Sequence, residues 1–169
     1  DNNGRNFKGT LNLNRLNKLT SKTNMLLKFN GQLAADNLDG ADQLSLGGPS
    51  SVRAYPSNEA AGDSGFIASV ELKRNLFKNV ESTLFYDYGK IKLHKKLWND
   101  WNSTNTGLKN NYHLQGYGVS LGIPIFNSFN VNASFARKIS HNSGRDSSGN
   151  DVDGLNWQDR GLISINARY

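Results

Sequence analysis

Long segments whose side chains alternate in polarity at every second position constrain this chain more than any other feature. A period of two is typical of β-strands, because successive side chains point to opposite faces of a sheet. The alternation recurs along the whole chain, from near the first residue to the last. It predicts strands at seven places: 5–16, 25–34, 66–73, 80–89, 112–123, 129–136 and 161–169.

The connections between these segments alternate between short and long. The long ones cover residues 36–65, 92–111 and 141–158. Outer-membrane barrels have this arrangement, with tight periplasmic turns, long external loops and tilted strands of about ten residues. One face of each segment is rich in Asn, Ser, Thr, Lys and Gly, which suits a water-filled lumen. The pattern therefore predicts an all-β, transmembrane antiparallel β-barrel, with a soluble β-sandwich or adhesin module as the alternative.

Composition narrows the class further. The 169 residues suit about one domain, and no apolar run approaches the roughly 18 residues of a membrane helix. Cysteine is absent, and the net charge of +6 is scattered rather than gathered into a basic stripe, so no nucleic-acid partner is predicted. A sheet of seven strands has two open edges, and lipid cannot form hydrogen bonds with the backbone N–H and C=O groups at these edges. We therefore expect the C-terminal part of a larger barrel, or edges that pair with another copy of the chain.

The connection 36–65 has the composition of a folded loop. Gly47 and Gly48 permit backbone conformations closed to other residues, while Pro49 and Pro56 stiffen the chain on either side of Arg53. No periodicity is evident within it. The segment is predicted to carry this arginine to a fixed position.

Asp87 is the predicted partner of Arg53. It alternates with Leu84, Tyr86 and Tyr88, so it points into the lumen if those apolar side chains face lipid. A guanidinium can bind such a carboxylate through two parallel hydrogen bonds. The pair would contribute about 0–1 kcal/mol in a flooded lumen, and losing one partner could cost about 3–5 kcal/mol if it is shielded. A role in secretion and a purely stabilising role are both open.

Other polar residues give weaker predictions. Glu71 is a candidate second anchor for the loop, and Glu59 and Asp63 are expected to fix the loop as hydrogen-bond acceptors. No nucleophile motif, phosphate-binding loop or metal-ligand spacing is present, so neither an enzyme nor a cofactor is predicted. The remaining candidates are three histidines without ligand spacing and two tryptophans of a surface loop: His94, His113, His141, Trp98 and Trp101.

Two motifs carry a family resemblance. Residues 31–72, GQLAADNLDGADQLSLGGPSSVRAYPSNEAAGDSGFIASVEL, closely resemble the outer-membrane transporters of two-partner secretion, the TpsB or haemolysin secretion/activation family. Residues 85–89, FYDYG, resemble the F-x-D-x-G strand motif of the wider superfamily, which includes the barrel-assembly insertases. The aromatic Tyr169 is similar to the terminal signal of outer-membrane barrels. Ala54 replaces the Gly that the superfamily prefers after the arginine, and this favours the secretion transporters.

The resemblance implies a 16-stranded barrel in the bacterial outer membrane. Two POTRA domains and a plug helix would precede residue 1, and residues 36–65 would be a VRAY loop folded into the lumen. The implied partners are a large β-helical TpsA exoprotein, outer-membrane lipid and, during biogenesis, the barrel-assembly machinery. Export would need no nucleotide hydrolysis, and insertion of other barrels is the alternative function. The implied loop-anchoring or gating residues are Arg53, Asp87, Val52, Tyr55, Gly48, Glu71, Phe85 and Gly89.

Overall fold

A computed structural model describes residues 7–77, 79–125 and 129–167. The described residues contain one 3-10 turn, Gly40–Asp42, and no helix among them is long and apolar enough to cross a membrane. Nine strands make up the rest of the regular structure: β1 (Lys8–Lys18), β2 (Thr23–Ala34), β3 (Leu44–Leu46), β4 (Ala60–Gly62), β5 (Ser64–Asn75), β6 (Glu81–Lys92), β7 (Asn111–Ile125), β8 (Phe129–Lys138) and β9 (Asp159–Ala167). The all-β prediction is confirmed.

Seven of these strands form one antiparallel sheet in the order β1-β2-β5-β6-β7-β8-β9. Each strand pairs with its neighbour along this chain order, and every register runs without a bulge. These are the seven predicted strands, several of them longer than the sequence pattern indicated. The last extends from Asp159 to Ala167, and the predicted end at Tyr169 lies outside the described residues. The described sheet has β1 and β9 as its two edges.

Short and long connections alternate as predicted, so the three long ones leave the same end of the sheet. We call residues 35–63 the first long loop, 93–110 the second and 139–158 the third. The first differs from the sequence prediction because it contains the two-stranded sheet of β3 and β4, in which Leu44 pairs with Gly62 and Leu46 with Ala60. Leu44 and Leu46 are buried on either side of Ser45. Three residues were too short a run to reveal that alternation.

The first long loop lies on one face of the seven-stranded sheet, which we call the inner face. The main apolar core is located between this loop, including its two-stranded sheet, and the seven-stranded sheet. Leu46, Val52 and Tyr55 of the loop belong to it, together with Phe85 and Leu114 of the strands, and all five are at least 95% buried. The loop therefore folds as an integral part of the domain.

The opposite, outer face is apolar and uncovered. Val119 and Phe135 of neighbouring strands are about half exposed, and Ile163 is 72% exposed. No second sheet packs on this face within the described residues, which argues against the predicted alternative of a β-sandwich, since a sandwich buries one face of each sheet. Further large apolar side chains of the same kind are Leu11, Leu13, Leu33, Val70, Leu72, Leu84, Leu121, Ile123 and Ile165.

The sheet curls around the first long loop. Pro49, near the loop tip, lines one cleft together with Asn12 of β1 and another with Ser164 of β9. A flat sheet of seven strands at a spacing of about 4.8 Å would place its two edges about 29 Å apart. One proline can lie beside both edge strands only if the sheet bends toward it.

Candidate functional site

The tip of the first long loop is shaped by two glycines in left-handed conformation. Gly47 has φ +91° and Gly48 has φ +89°, values that side chains with a Cβ rarely adopt. The Gly48 N–H donates to the carbonyl of Tyr55, and the Tyr55 N–H donates to the carbonyl of Val52. The backbone thus closes on itself on both sides of Arg53 and projects its side chain toward the sheet.

Arg53 and Asp87 form the predicted bidentate pair. Arg53 Nε donates to Asp87 Oδ2 at 2.8 Å and Arg53 Nη2 donates to Oδ1 at 2.7 Å, while the Arg53 backbone N–H adds a third bond at 3.1 Å. The Asp87 side chain is fully buried and that of Arg53 is 15% exposed. A charge pair this well shielded from water is more strongly coupled than an exposed one.

Ser69 and Glu71 of β5 complete the arrangement around the guanidinium. Ser69 lies directly opposite Asp87 in the strand register, donates to Asp87 Oδ1 at 2.7 Å and receives a bond from Arg53 Nη2 at 3.1 Å. Glu71 Oε1 lies 3.1 Å from Arg53 Nη2 and 2.9 Å from the Nζ of Lys28. The buried Glu71 therefore contacts the loop directly, at the position predicted for a second anchor.

Apolar contacts of the motif residues fit the loop against the sheet. The Arg53 guanidinium carbon lies 3.5 Å from the centre of the Phe85 ring, a cation–π contact. Val52 lies over Gly89, where an added Cβ would come within 2.9 Å of the valine side chain. At Gly116 an added Cβ would collide with Ala54. Small residues on the inner face thus make room for the loop tip.

A second polar cluster holds the loop farther along and was only partly predicted. Glu59 accepts hydrogen bonds from Asn142 Nδ2 and, at 3.0 Å, from the Val152 N–H, both in the third long loop. Asn142 also donates to Asp151, which forms an ion pair with Lys138 of β8. All four side chains are buried. The role of Glu59 as an acceptor was expected, but its partners, more than 80 residues away, give no sequence signal.

Ionisation in this cluster is shifted by burial. Burial raises the pKa of Glu59 to about 7, and the nearby Asp151 carboxylate adds to the effect, against the hydrogen bonds from Val152 and Asn142. Burial likewise raises the pKa of Tyr55 to about 12. The Tyr55 hydroxyl is therefore neutral and donates to the carbonyl of Ser140 at 3.0 Å. This bond joins the motif tyrosine to the third long loop.

Asp63, at the end of the first long loop, connects it to the second. Its carboxylate accepts hydrogen bonds from the backbone N–H of Leu38 at 3.0 Å and of Lys95 at 2.7 Å, and from the Gln43 amide at 2.9 Å. The side chain is fully buried. Asp63 thus acts as the loop-fixing acceptor that the sequence predicted.

Most of the other sequence candidates lie away from Arg53, whereas His141 stands between Ser140 and Asn142, which contact the first long loop. His94 contacts Trp98 and Trp101 at ring-centre distances of 4.6 and 5.8 Å, and Trp101 packs partly on the core. His113 stacks on Tyr88 across the outer face. Within the described residues no three His, Cys, Asp or Glu side chains group as metal ligands do. Tyr169 lies outside the described part of the chain.

Comparison with known proteins identifies the family. Residues 1–123 match the model of the haemolysin secretion/activation protein family ShlB/FhaC/HecB. The chain belongs to this family. Its members are outer-membrane transporters of two-partner secretion. The predicted family and the predicted outer-membrane location are therefore confirmed. The match favours secretion over the barrel-assembly alternative.

Individual relatives agree with this assignment. The chain is 33% identical over 118 residues to the heme/hemopexin transporter protein HuxB of Haemophilus influenzae strain Rd, and equally to that of strain 86-028NP. The matches cover 68% of this chain but only 20% of each relative, so the chain spans about a fifth of their length. No solved structure matches it significantly.

Proposed function

We propose that the chain is the C-terminal part of a 16-stranded outer-membrane barrel that exports a large β-helical exoprotein in two-partner secretion. The two POTRA domains and the plug helix would lie in the rest of the protein and capture the exoprotein first. The observation that carries this proposal is the buried contact of Arg53 with Asp87 and Glu71. It holds the family's motif loop against the polar face of a sheet whose other face is apolar and exposed.

The two faces suit different surroundings. Lipid would cover the apolar outer face, in keeping with the alternation of membrane strands. The inner face carries Asn12, Asn30, Asn132 and Ser134, which line the clefts beside the loop. Such a polar wall offers hydrogen bonds to an extended polypeptide and little apolar surface to retain it. An unfolded exoprotein could thus pass without nucleotide hydrolysis, its folding outside giving the direction.

The loop would act as the movable element of the channel. Its tip is held on the inner face by the bonds of Arg53 and by apolar contacts, and it lies between clefts that extend toward β1 and β9. Displacing the tip would join these clefts into a wider passage. Arg53 and Asp87 would set how readily this happens, with Gly48, Val52, Tyr55, Phe85 and Gly89 shaping the docked state.

Export by the full-length parent tests the proposal. Arg53→Ala and Asp87→Ala should reduce secretion of the cognate exoprotein while the barrel still inserts, as judged by heat-modifiable migration of outer-membrane fractions. Asp42→Asn is a matched control, because its pair with Lys8 is solvent-exposed. Wild-type secretion by both Arg53→Ala and Asp87→Ala would refute a role in export and leave the pair a stabilising one.

A further inference from the structure

The first long loop is attached to the rest of the domain at several points, two of which lie close together in sequence. Arg53 binds the wall of the sheet, and six residues later Glu59 binds the third long loop. Tyr55 lies between them, with its hydroxyl on the Ser140 carbonyl and Lys138 Nζ 5.0 Å from the centre of its ring. The bonds of Glu59 with Asn142 and Val152, together with those of Asp151 to Asn142 and Lys138, therefore form a second attachment, which we call the Glu59 latch.

The latch contains an imbalance of charge. Asp151 forms an ion pair with Lys138, and its Oδ2 lies 3.7 Å from Nη2 of Arg160 of β9. Glu59 has two neutral donors, and no Lys, Arg or His of the described residues forms an ion pair with it. A buried carboxylate without a cation is costly to keep ionised.

Every element packed around Glu59 supplies a neighbour that bears on its charge. None of these neighbours places a cation directly on the carboxylate. They are Tyr55 of its own loop, Tyr112 of β7, Lys138 of β8, Asp151 of the third long loop, Asp146, which lines the same cleft, and, beside Asp151, Arg160 of β9.

We propose that Glu59 is a positioning residue whose buried negative charge weakens the attachment of the first long loop to the third, so that the inserted loop docks more firmly as the pH falls and this charge is removed. This rests on the proposed function, since it assigns a regulator to the loop that would gate the channel. The direction follows from linkage: the docked state binds the proton more tightly than the undocked state, in which water surrounds Glu59. Docking is thus favoured at low pH and weakened as the pH rises toward 8.

The magnitude follows from the two ionisation states. The pKa of Glu59 is about 7 when it is docked, against an ordinary value of 4.5 in the undocked loop. The ratio of docked to undocked protein should then fall about tenfold between pH 6 and pH 8. A change of this size is measurable even when the undocked population is small.

Ser140 offers a reporter of undocking. Its Oγ is buried and forms no hydrogen bond, so Ser140→Cys removes no bond, and the chain has no other cysteine. A thiol here reacts with a maleimide only when the third long loop separates from Tyr55, so its labelling rate follows the open fraction. The rate is measured on the purified full-length parent, in which any cysteine outside these 169 residues is replaced by Ser. Dividing it by the rate in an added Glu59→Gln background cancels the reactivity of the thiol itself.

We expect this rate ratio to rise about tenfold from pH 6 to pH 8. The Asp42→Asn control should retain the rise, because Asp42 is an exposed carboxylate of the same loop. A ratio that does not change with pH, or a rise lost in Asp42→Asn, would overturn the proposal. Export plays no part in this readout, so normal secretion by both Arg53→Ala and Asp87→Ala would refute the proposed role in export, whereas the labelling ratio alone decides the latch.

Discussion

Replacing Asp87 by Asn isolates the charge that holds the loop. The substitution keeps the shape of the side chain but removes its charge and one acceptor. Asp87 accepts four hydrogen bonds, three from Arg53 and one from Ser69. Whichever way the amide of Asn is turned, its NH₂ group faces a donor.

The magnitude can be worked out from the surroundings. Breaking a buried ion pair costs about 3–5 kcal/mol. The lower value applies here, because Glu71 remains 3.1 Å from the guanidinium and still offsets its charge. A loss of about 3 kcal/mol corresponds to an increase on the order of 100-fold in undocked loop.

Ser51→Cys provides the assay, since Ser51 lies buried beside the loop tip. Maleimide labelling of this thiol in the purified parent should accelerate on the order of 100-fold with Asp87→Asn. Asp42→Asn breaks an exposed ion pair worth about 0–1 kcal/mol and should change the labelling rate by less than about fivefold. Labelling in Asp87→Asn within twofold of the parent would show that the pair does not hold the loop.

Three further predictions concern the fit of the loop tip, the contact between the first two long loops and the outer face of the sheet. Gly116→Ala places a methyl group against Ala54 and should accelerate the labelling of Ser51→Cys. Gly9→Ala, whose methyl group meets nothing within 4 Å, should not accelerate it. Equal labelling rates in the two variants would contradict the close fit of the loop tip against the sheet. Asp63→Asn weakens the contact between the first two long loops and should speed proteolysis within residues 93–110, whereas Asp36→Asn, in an exposed pair with Lys96, should have little effect. Val119→Arg puts a charge on the outer face, which costs about 2–4 kcal/mol near the bilayer centre. It should therefore reduce the amount of the heat-modifiable folded form. An equal loss of this form with Ser120→Arg, on the inner face, would contradict the assignment of the faces.

The strands and the orientation of their faces could be predicted from the sequence because both depend on a local rule. Side chains alternate between faces whatever the rest of the chain does. This was sufficient to place Asp87 and Glu71 on one face and Leu84 and Tyr86 on the other. The spacing of the long loops likewise indicated that they share one end of the sheet. The pairing of Arg53 with Asp87 was also predicted, because the alternation turns Asp87 inward and the family resemblance implies a loop that carries the arginine into the lumen.

The Glu59 latch was decided by tertiary structure alone. Glu59 lies 83 residues from Asn142, both are in loops without periodicity, and nothing local distinguishes this glutamate from a solvated one. Asn142 and Asp151 acquire their roles only when the first long loop folds over the inner face and brings Glu59 to the third long loop. Burial, which sets the charge of Glu59, is a property of that assembly. Sequence alone therefore determined which side chains face inward, and the fold determined which of them meet.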